Sequence, residues 1–235
     1  MSKIITVDDA IADPFAPRII RTPGYGGYAA RFIAGHLNLP VGAQVAEWDS
    51  VAGSVPTKLQ KLSSAAASTL TVGEENGIRH VHAPGDSPNG GRLLGPHTAQ
   101  RPITIAAVVK APYDTVQFLG ATGITFTRNT TGTGHYQASS GTNNAFSQTQ
   151  SGNGWVFLLV TQTSDESFIF RAGTEEVLKA PANVPPTSFG GLYFGPGAVG
   201  SQADVREMIY WPEYLNLEKR DAVHQYMISR YPDIA

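Results

Sequence analysis

No cysteine occurs anywhere in the 235 residues. That excludes disulfides, cysteine-ligated zinc and a thiol nucleophile together. No apolar run approaches the ~18 residues of a membrane span, and the opening stretch MSKIITVDDAIADPF carries three Asp and no apolar signal core, so a chain made and folded in a cytoplasm, without membrane insertion, is expected. Clustered positive charge is missing as well: 17 basic residues stand against 19 acidic ones, dispersed along the chain. Nucleic acid is therefore not expected as a partner, because phosphate binding needs a concentrated basic field.

What the chain has instead is Gly, Ser, Thr, Asn and Pro punctuating short β-branched and aromatic runs. Strand candidates are YAARFIA (28–34), AQVAEW (43–48), GIRHVHA (77–83), ITIAAVVK (103–110), TVQFLGA (115–121) and GITFTRN (123–129). They continue with HYQAS (135–139), WVFLLVTQT (155–163), SFIFRA (167–172), TEEVLKA (174–180), GGLYFG (190–195) and ADVREMIYW (203–211). Such spacing predicts an all-β sandwich or barrel. ITIAAVVK and WVFLLV are nearly continuously apolar, as central strands covered on both faces must be, whereas GITFTRN alternates like a half-exposed strand. Residues 155–180 read as a three-strand meander, and Trp48, Trp155 and Trp211 fall in strand-like runs as core residues. Two long polar stretches, 82–98 and 131–154, read as loops, the kind of segment that carries function.

The two ends differ from the middle. Residues 1–28 lack periodicity and carry Pro14, Pro17, Pro23, Gly24, Gly26 and Gly27 beside several large apolar side chains, which predicts an extended arm lying on a surface. The last stretch predicts a helix. Asn216 caps it, Glu218 suits its positive end, Arg230 suits its negative end, and Pro232 stops it. Ala222, Val223, Tyr226, Met227 and Tyr231 form its apolar stripe, while Glu218, Lys219, Asp221, Gln225 and Ser229 face away.

The order LNLPVGAQVAEWDSVAG, GIRHVHAPGDSPNGGRLLG, RPITIAAVVK, a central Trp155 strand, GGLYFGPG and ADVREMIYWPEYLNLEKRDAVHQYMISRYP resembles laminin-G-like, concanavalin A-like jelly-roll domains. It is most similar to those found in accessory virion proteins of tailed bacteriophages and in some bacterial surface proteins. One departure stands at the first motif, where Trp48 and Asp49 are adjacent and Gly53 follows Ser50 by three. The resemblance implies a two-sheet antiparallel jelly-roll sandwich over residues 29–235, with the extended arm over 1–28 and one short C-terminal helix.

The resemblance further implies a non-catalytic structural protein of a phage virion, a minor tail or capsid decoration protein assembled in the host cytoplasm. Its arm would join other virion proteins, and its jelly roll would face outward toward host surface glycans. A homo-oligomer, a trimer by the same resemblance, is implied as well. A free lectin-like module and a glycoside hydrolase or lyase are the alternatives.

Particular residues bear on these readings. Hydrolases of this fold need two carboxylates on one strand face, and the nearest match is Glu47-Trp48-Asp49, with no second Glu after it. Tyr136, Asn143, Asn144 and Phe146 supply an aromatic ring and amides in one polar stretch, the equipment for contact with a sugar. His80 and His82 share one side of a strand and, with Asp86, are the candidate metal ligands. No cofactor is expected; calcium is the one ion the resemblance allows, with Asp86, Asn89, Asn143, Asn144 and Asp204 as loop oxygens. Alternation places Glu207 with Val205 and Ile209, and burial of that face would require a charged or hydrogen-bonded partner. The resemblance implies a structural rather than catalytic acid there.

Overall fold

The computed structural model describes Gly27 and residues 29–53, 57–61, 70–84, 92–95, 99–100, 102–112, 118–121, 124–128, 135–140, 143–146, 153–162, 168–179, 188–189, 191–195 and 202–234. The arm expected over 1–28 lies outside them, except for Gly27.

In chain order the first strands are β1 (Ala30–Ile33), β2 (Glu47–Asp49), β3 (Lys58–Lys61), β4 (Thr71–Glu75), β5 (Ile78–Ala83) and β6 (Leu93–Leu94), with a 3-10 turn at Ala34–His36. The middle of the chain gives β7 (Ala99–Gln100), β8 (Ile103–Lys110), β9 (Leu119–Ala121), β10 (Ile124–Arg128), β11 (Tyr136–Ser140) and β12 (Asn143–Phe146). The last part gives β13 (Val156–Gln162), β14 (Phe168–Ala172), β15 (Glu175–Lys179), β16 (Ser188–Phe189), β17 (Leu192–Phe194), β18 (Ala203–Trp211) and the helix α1 (Leu217–Arg230).

These build the two-sheet antiparallel jelly-roll sandwich. The first sheet runs β15-β14-β13-β8-β18-β5-β4 with β1 also on β18; the second runs β12-β11-β10-β9-β17-β6-β3-β2; β7 and β16 form a separate pair. β18 is long enough to be shared on one edge: β5 pairs with Ala203–Val205 and β1 with Glu207–Tyr210. Between them the register shifts, a β-bulge that turns Arg206 and Glu207 to the same side of the sheet. Glu207 therefore shares a face with Ile209, while Val205 points into the sandwich; the simple alternation expected across this stretch is broken by the bulge.

Two cores result. Between the sheets lie Ile103, Ile105, Ala107 and Val109 of β8 and Val156, Leu158 and Val160 of β13, against Trp48, Leu59, Leu119, Phe126 and Phe194 of the second sheet. On the outer face of the first sheet, Ala106, Val108, Phe157, Leu159, Ile209 and Trp211 are sealed by Val223, Tyr226 and Met227 of α1. Double coverage explains why β8 and β13 read as unbroken apolar runs, and the exposure of one face explains the alternating β10. All three tryptophans are buried, as expected. The β13-β14-β15 meander forms as read, closing at Gly173 (φ +57°).

α1 begins where its cap predicts, with the Asn216 side chain accepting from the Lys219 N–H at 3.0 Å. Its buried face is wider than the apolar stripe. Arg220 and His224 are swallowed with it, and Ala222 is only half-buried. The stretch 131–154 is not a continuous loop: the strand read at 135–139 forms as β11, and it pairs in a hairpin with β12, whose Asn-rich sequence hid it from a hydrophobicity pattern. Likewise 82–98 contains β6. Among the described residues no helix is long and apolar enough to cross a membrane.

Candidate functional site

The outer face of the second sheet carries polar side chains toward its two ends, with the buried Gly120 and Tyr193 between them. Residues directly opposite in an antiparallel pair share a face, so the strand registers define a row. Ser139 of β11 stands opposite Thr125 of β10, Thr125 opposite Gly120 of β9, and Gly120 opposite Tyr193 of β17. Tyr193 stands opposite Leu94 of β6, Leu94 opposite Gln60 of β3, and Gln60 opposite Glu47 of β2. Seven strands about 4.8 Å apart carry this row across roughly 29 Å. Beside it, Thr127 stands opposite Gln137. Their chain neighbours Ala138, Phe126, Leu119, Phe194, Leu93, Leu59 and Trp48 point into the core, so period-two alternation fixes the polar set outward.

The row is ordered locally. The Thr125 and Ser139 hydroxyls hydrogen-bond to each other. Gly120 has φ +151°, and a Cβ there would lie 2.1 Å from the Ile124 carbonyl oxygen, so only glycine lets β9 and β10 approach so closely. The Arg92 guanidinium lies over the Tyr193 ring, 4.3 Å from its centroid. Burial pushes the Tyr193 hydroxyl up, keeping it protonated, against the opposing effect of Arg92. At the far end, Lys58 Nζ donates to Glu47 Oε2 at 2.6 Å and lies 3.6 Å from Asp49, while the Gln60 amide reaches Glu47 Oε1 at 3.3 Å. The hydrogen bond from Lys58 holds the Glu47 carboxyl below the usual range, the opposite of the raised pKa that a glycosidase general acid needs.

The four residues expected to contact sugar are divided. Tyr136 turns inward: it is 1% exposed, sits edge-on to Phe118, carries the Arg128 guanidinium over its ring and accepts the Ala111 N–H at 3.2 Å. It is a core side chain because β11 alternates and position 136 falls on the inner face. Asn143, Asn144 and Phe146 belong to β12, where only the backbone is described; Asn144 stands opposite Ser139, and Phe146 opposite Gln137.

His80 and His82 do lie on one side of β5. His82 Nδ1 is 2.6 Å from Asp204 Oδ1, and His80 Nε2 is 3.8 Å from the same oxygen. His80 is packed against Trp155, itself covered by the Arg206 guanidinium at 3.9 Å, and burial pushes its imidazole down toward the neutral form. Asp204 thus stands within reach of both imidazoles. Among the described residues no three His, Asp or Glu side chains are grouped to hold a metal, and Asp86 lies outside the described residues.

Glu207 has the partners its burial demands. Its carboxylate accepts from Arg31 Nε at 2.8 Å and Tyr231 Oη at 2.8 Å, with Tyr226 Oη at 3.4 Å, and Arg230, whose Nε donates to Tyr231 Oη, pairs with it at 3.0 Å. Arg31 also donates to the Tyr226 hydroxyl. Burial and the Glu207 charge push both tyrosines up, so they remain donors. Every group of this network is committed to joining β1, β18 and α1, which is the work of a structural acid.

No family model matches the chain, and no curated protein matches it by sequence. Solved structures are similar in fold. The ligand-binding domain of botulinum neurotoxin serotype D in complex with N-acetylneuraminic acid has a TM-score of 0.62 at 10% identity, covering 87% of this chain and 52% of that one. The binding domain of botulinum neurotoxin DC in complex with SialylT gives 0.59 at 7% identity, covering 87% and 52%. A structure of botulinum neurotoxin type C, concerned with its interaction with two ganglioside molecules, gives 0.61 at 7% identity, covering 86% and 51%. The chain spans about half the length of these structures, and what it shares with them is the two-sheet sandwich.

Proposed function

We propose that this protein is a non-catalytic, glycan-binding jelly-roll module carried on a bacteriophage particle, as a minor tail or capsid decoration protein. The observation that carries the glycan reading is the polar row across the outer face of the second sheet. Hydroxyls from Ser139, Thr125 and Thr127 with the Gln137 amide form one polar group on this face, and the Gln60 amide with the Glu47 carboxylate forms another at its far end. Sugar hydroxyls need such donors and acceptors beside an apolar plate. The β11-β12 hairpin extends the same surface, with Asn144 and Phe146 on that face opposite Ser139 and Gln137, whereas Asn143 stands opposite Ser140 on the other face. Support also comes from the solved complexes with sialic-acid ligands among sandwiches of this fold. The lowered Glu47 carboxyl favours binding over hydrolysis.

The virion assignment rests on the order of sequence motifs, with residues 1–28 as the attachment arm and a symmetric homo-oligomer as the assembled form. Among the described residues, the Ala29 N–H donates to the Tyr210 carbonyl and β1 follows from Ala30. Deleting residues 1–28 should leave a folded protein that no longer joins the particle; an unfolded product would place the arm in the core. Recovery of the chain in purified particles at fixed copy number supports the assignment, and its absence from them leaves a free lectin-like module. Release of reducing ends from a polysaccharide would replace binding with catalysis.

A further inference from the structure

We propose that helix α1 is an acid-released strap whose proton-binding group is His224. The imidazole is buried at the helix-sheet interface, stacked on Phe157 of β13 with ring centroids 5.0 Å apart. Its Nδ1 lies 3.2 Å from the Arg171 guanidinium of β14. A guanidinium can only donate. Nδ1 must therefore offer its lone pair, which puts the ring proton on Nε2, and Nε2 is buried with no acceptor among the described residues. The geometry thus accepts one protonation state, the neutral ring with its proton on Nε2.

The charged groups around it are all engaged. Arg171 donates to Asp221 of the helix at 2.6 Å, and Arg220 of the helix is held by Glu176 of β15 at 2.6 and 2.9 Å. Asp221 is half exposed and already bonded to Arg171, so water and that bond weaken the support it gives a second cation beside it. A proton taken from water onto Nδ1 displaces the Arg171 hydrogen bond and sets two cations against each other in a buried site. Relief comes only by bringing His224 to solvent, which lifts the helix. Burial and Arg171 both act to hold the imidazole below its ordinary value, in agreement with this geometry.

The two halves of the helix respond differently. Tyr226, Arg230 and Tyr231 are tied to Glu207, a network that contains no histidine. The strap is therefore hinged at its C-terminal end and opens from Leu217 to Gln225, uncovering Phe157, Leu159 and Trp211.

Hydrogen exchange at pH 7.5 and pH 5.0, corrected for intrinsic rates, tests this on the full chain. One proton shifts the opening equilibrium tenfold per pH unit, so protection of residues 220–225 should fall by up to roughly thirtyfold between about pH 6.5 and 5.0. Amides of β8 and β13 should keep theirs, and His224→Gln should abolish the difference. Equal helix protection at the two pH values, loss shared by β8 and β13, or an unchanged pH response in His224→Gln overturns the proposal. Should that variant not fold, NMR titration of the His224 ring in the unmodified protein decides: titration below about 6.5 supports the strap, and titration at or above it refutes it.

Discussion

Replacing Glu207 by Leu removes the one carboxylate around which β1, β18 and α1 meet. Its side chain and that of Arg31 are both fully buried, so the substitution breaks a buried ion pair from one side. Breaking a buried pair from one side costs about 3–5 kcal/mol, a large part of the roughly 5–15 kcal/mol by which domains are stable. Arg31→Met should cost a similar amount by orphaning the carboxylate, although Arg230 and Tyr231 still bind it. At about 2–4 °C per kcal/mol for a chain of this size, each variant should melt roughly 6–20 °C lower.

The informative measurement is the double variant. Arg31→Met with Glu207→Leu leaves no buried charge at the pair, while Arg230, a fifth exposed, can turn to water. Its loss should fall short of the sum of the singles by about 1–3 kcal/mol in urea or thermal unfolding. Single losses below about 1 kcal/mol, or additivity within about 0.5 kcal/mol, would refute the assignment of Glu207 as the structural tie.

Gly120→Ala should cost at least about 2 kcal/mol, since the added Cβ meets the Ile124 carbonyl at a backbone angle that disfavours side chains; equilibrium unfolding checks it, and a neutral result would mean that β9 and β10 pair otherwise. Glu75 predicts a pH dependence. The hydrogen bond from Lys110 holds its carboxyl below the usual range, with Trp155 Nε1 donating at 3.0 Å as a further support against the cost of burial. A depressed carboxyl contributes stability that is complete above its unfolded value of about 4.5 and is lost as pH falls through the folded value. Glu75→Gln should therefore be less stable at pH 7 by up to about 1 kcal/mol and should match the parent near pH 3; an equal deficit at both pH values would contradict the pairing.

Legibility followed burial. β8 could be read to the residue because both its faces are covered, and α1 because its cap, dipole charges and terminal Pro232 are local signals. β3 and β4 escaped notice because KLQK and TVGEE lie near sheet edges, where half-exposed strands need little apolar sequence. The bulge at Arg206 and Glu207 shifts the register of β18 against β8, a tertiary pairing that no local signal announces. Need for a partner at Glu207 was visible, yet Arg31 lies 176 residues away and nothing local names it. Tyr136 looked like a loop aromatic until its hairpin fixed the face on which it falls. The polar row of the second sheet draws its members from seven strands, so it exists only once the registers do.

Glycan-array binding by the intact chain, compared with Ser139→Arg, tests the functional account most directly. Ser139 is half-exposed at the end of the row, where a long charged side chain would cover the Thr125 hydroxyl without entering the core. The account predicts that the parent retains a restricted set of glycans and that the folded variant, verified by circular dichroism, loses them. Absence of any retained glycan, or equal binding by the variant, would contradict it.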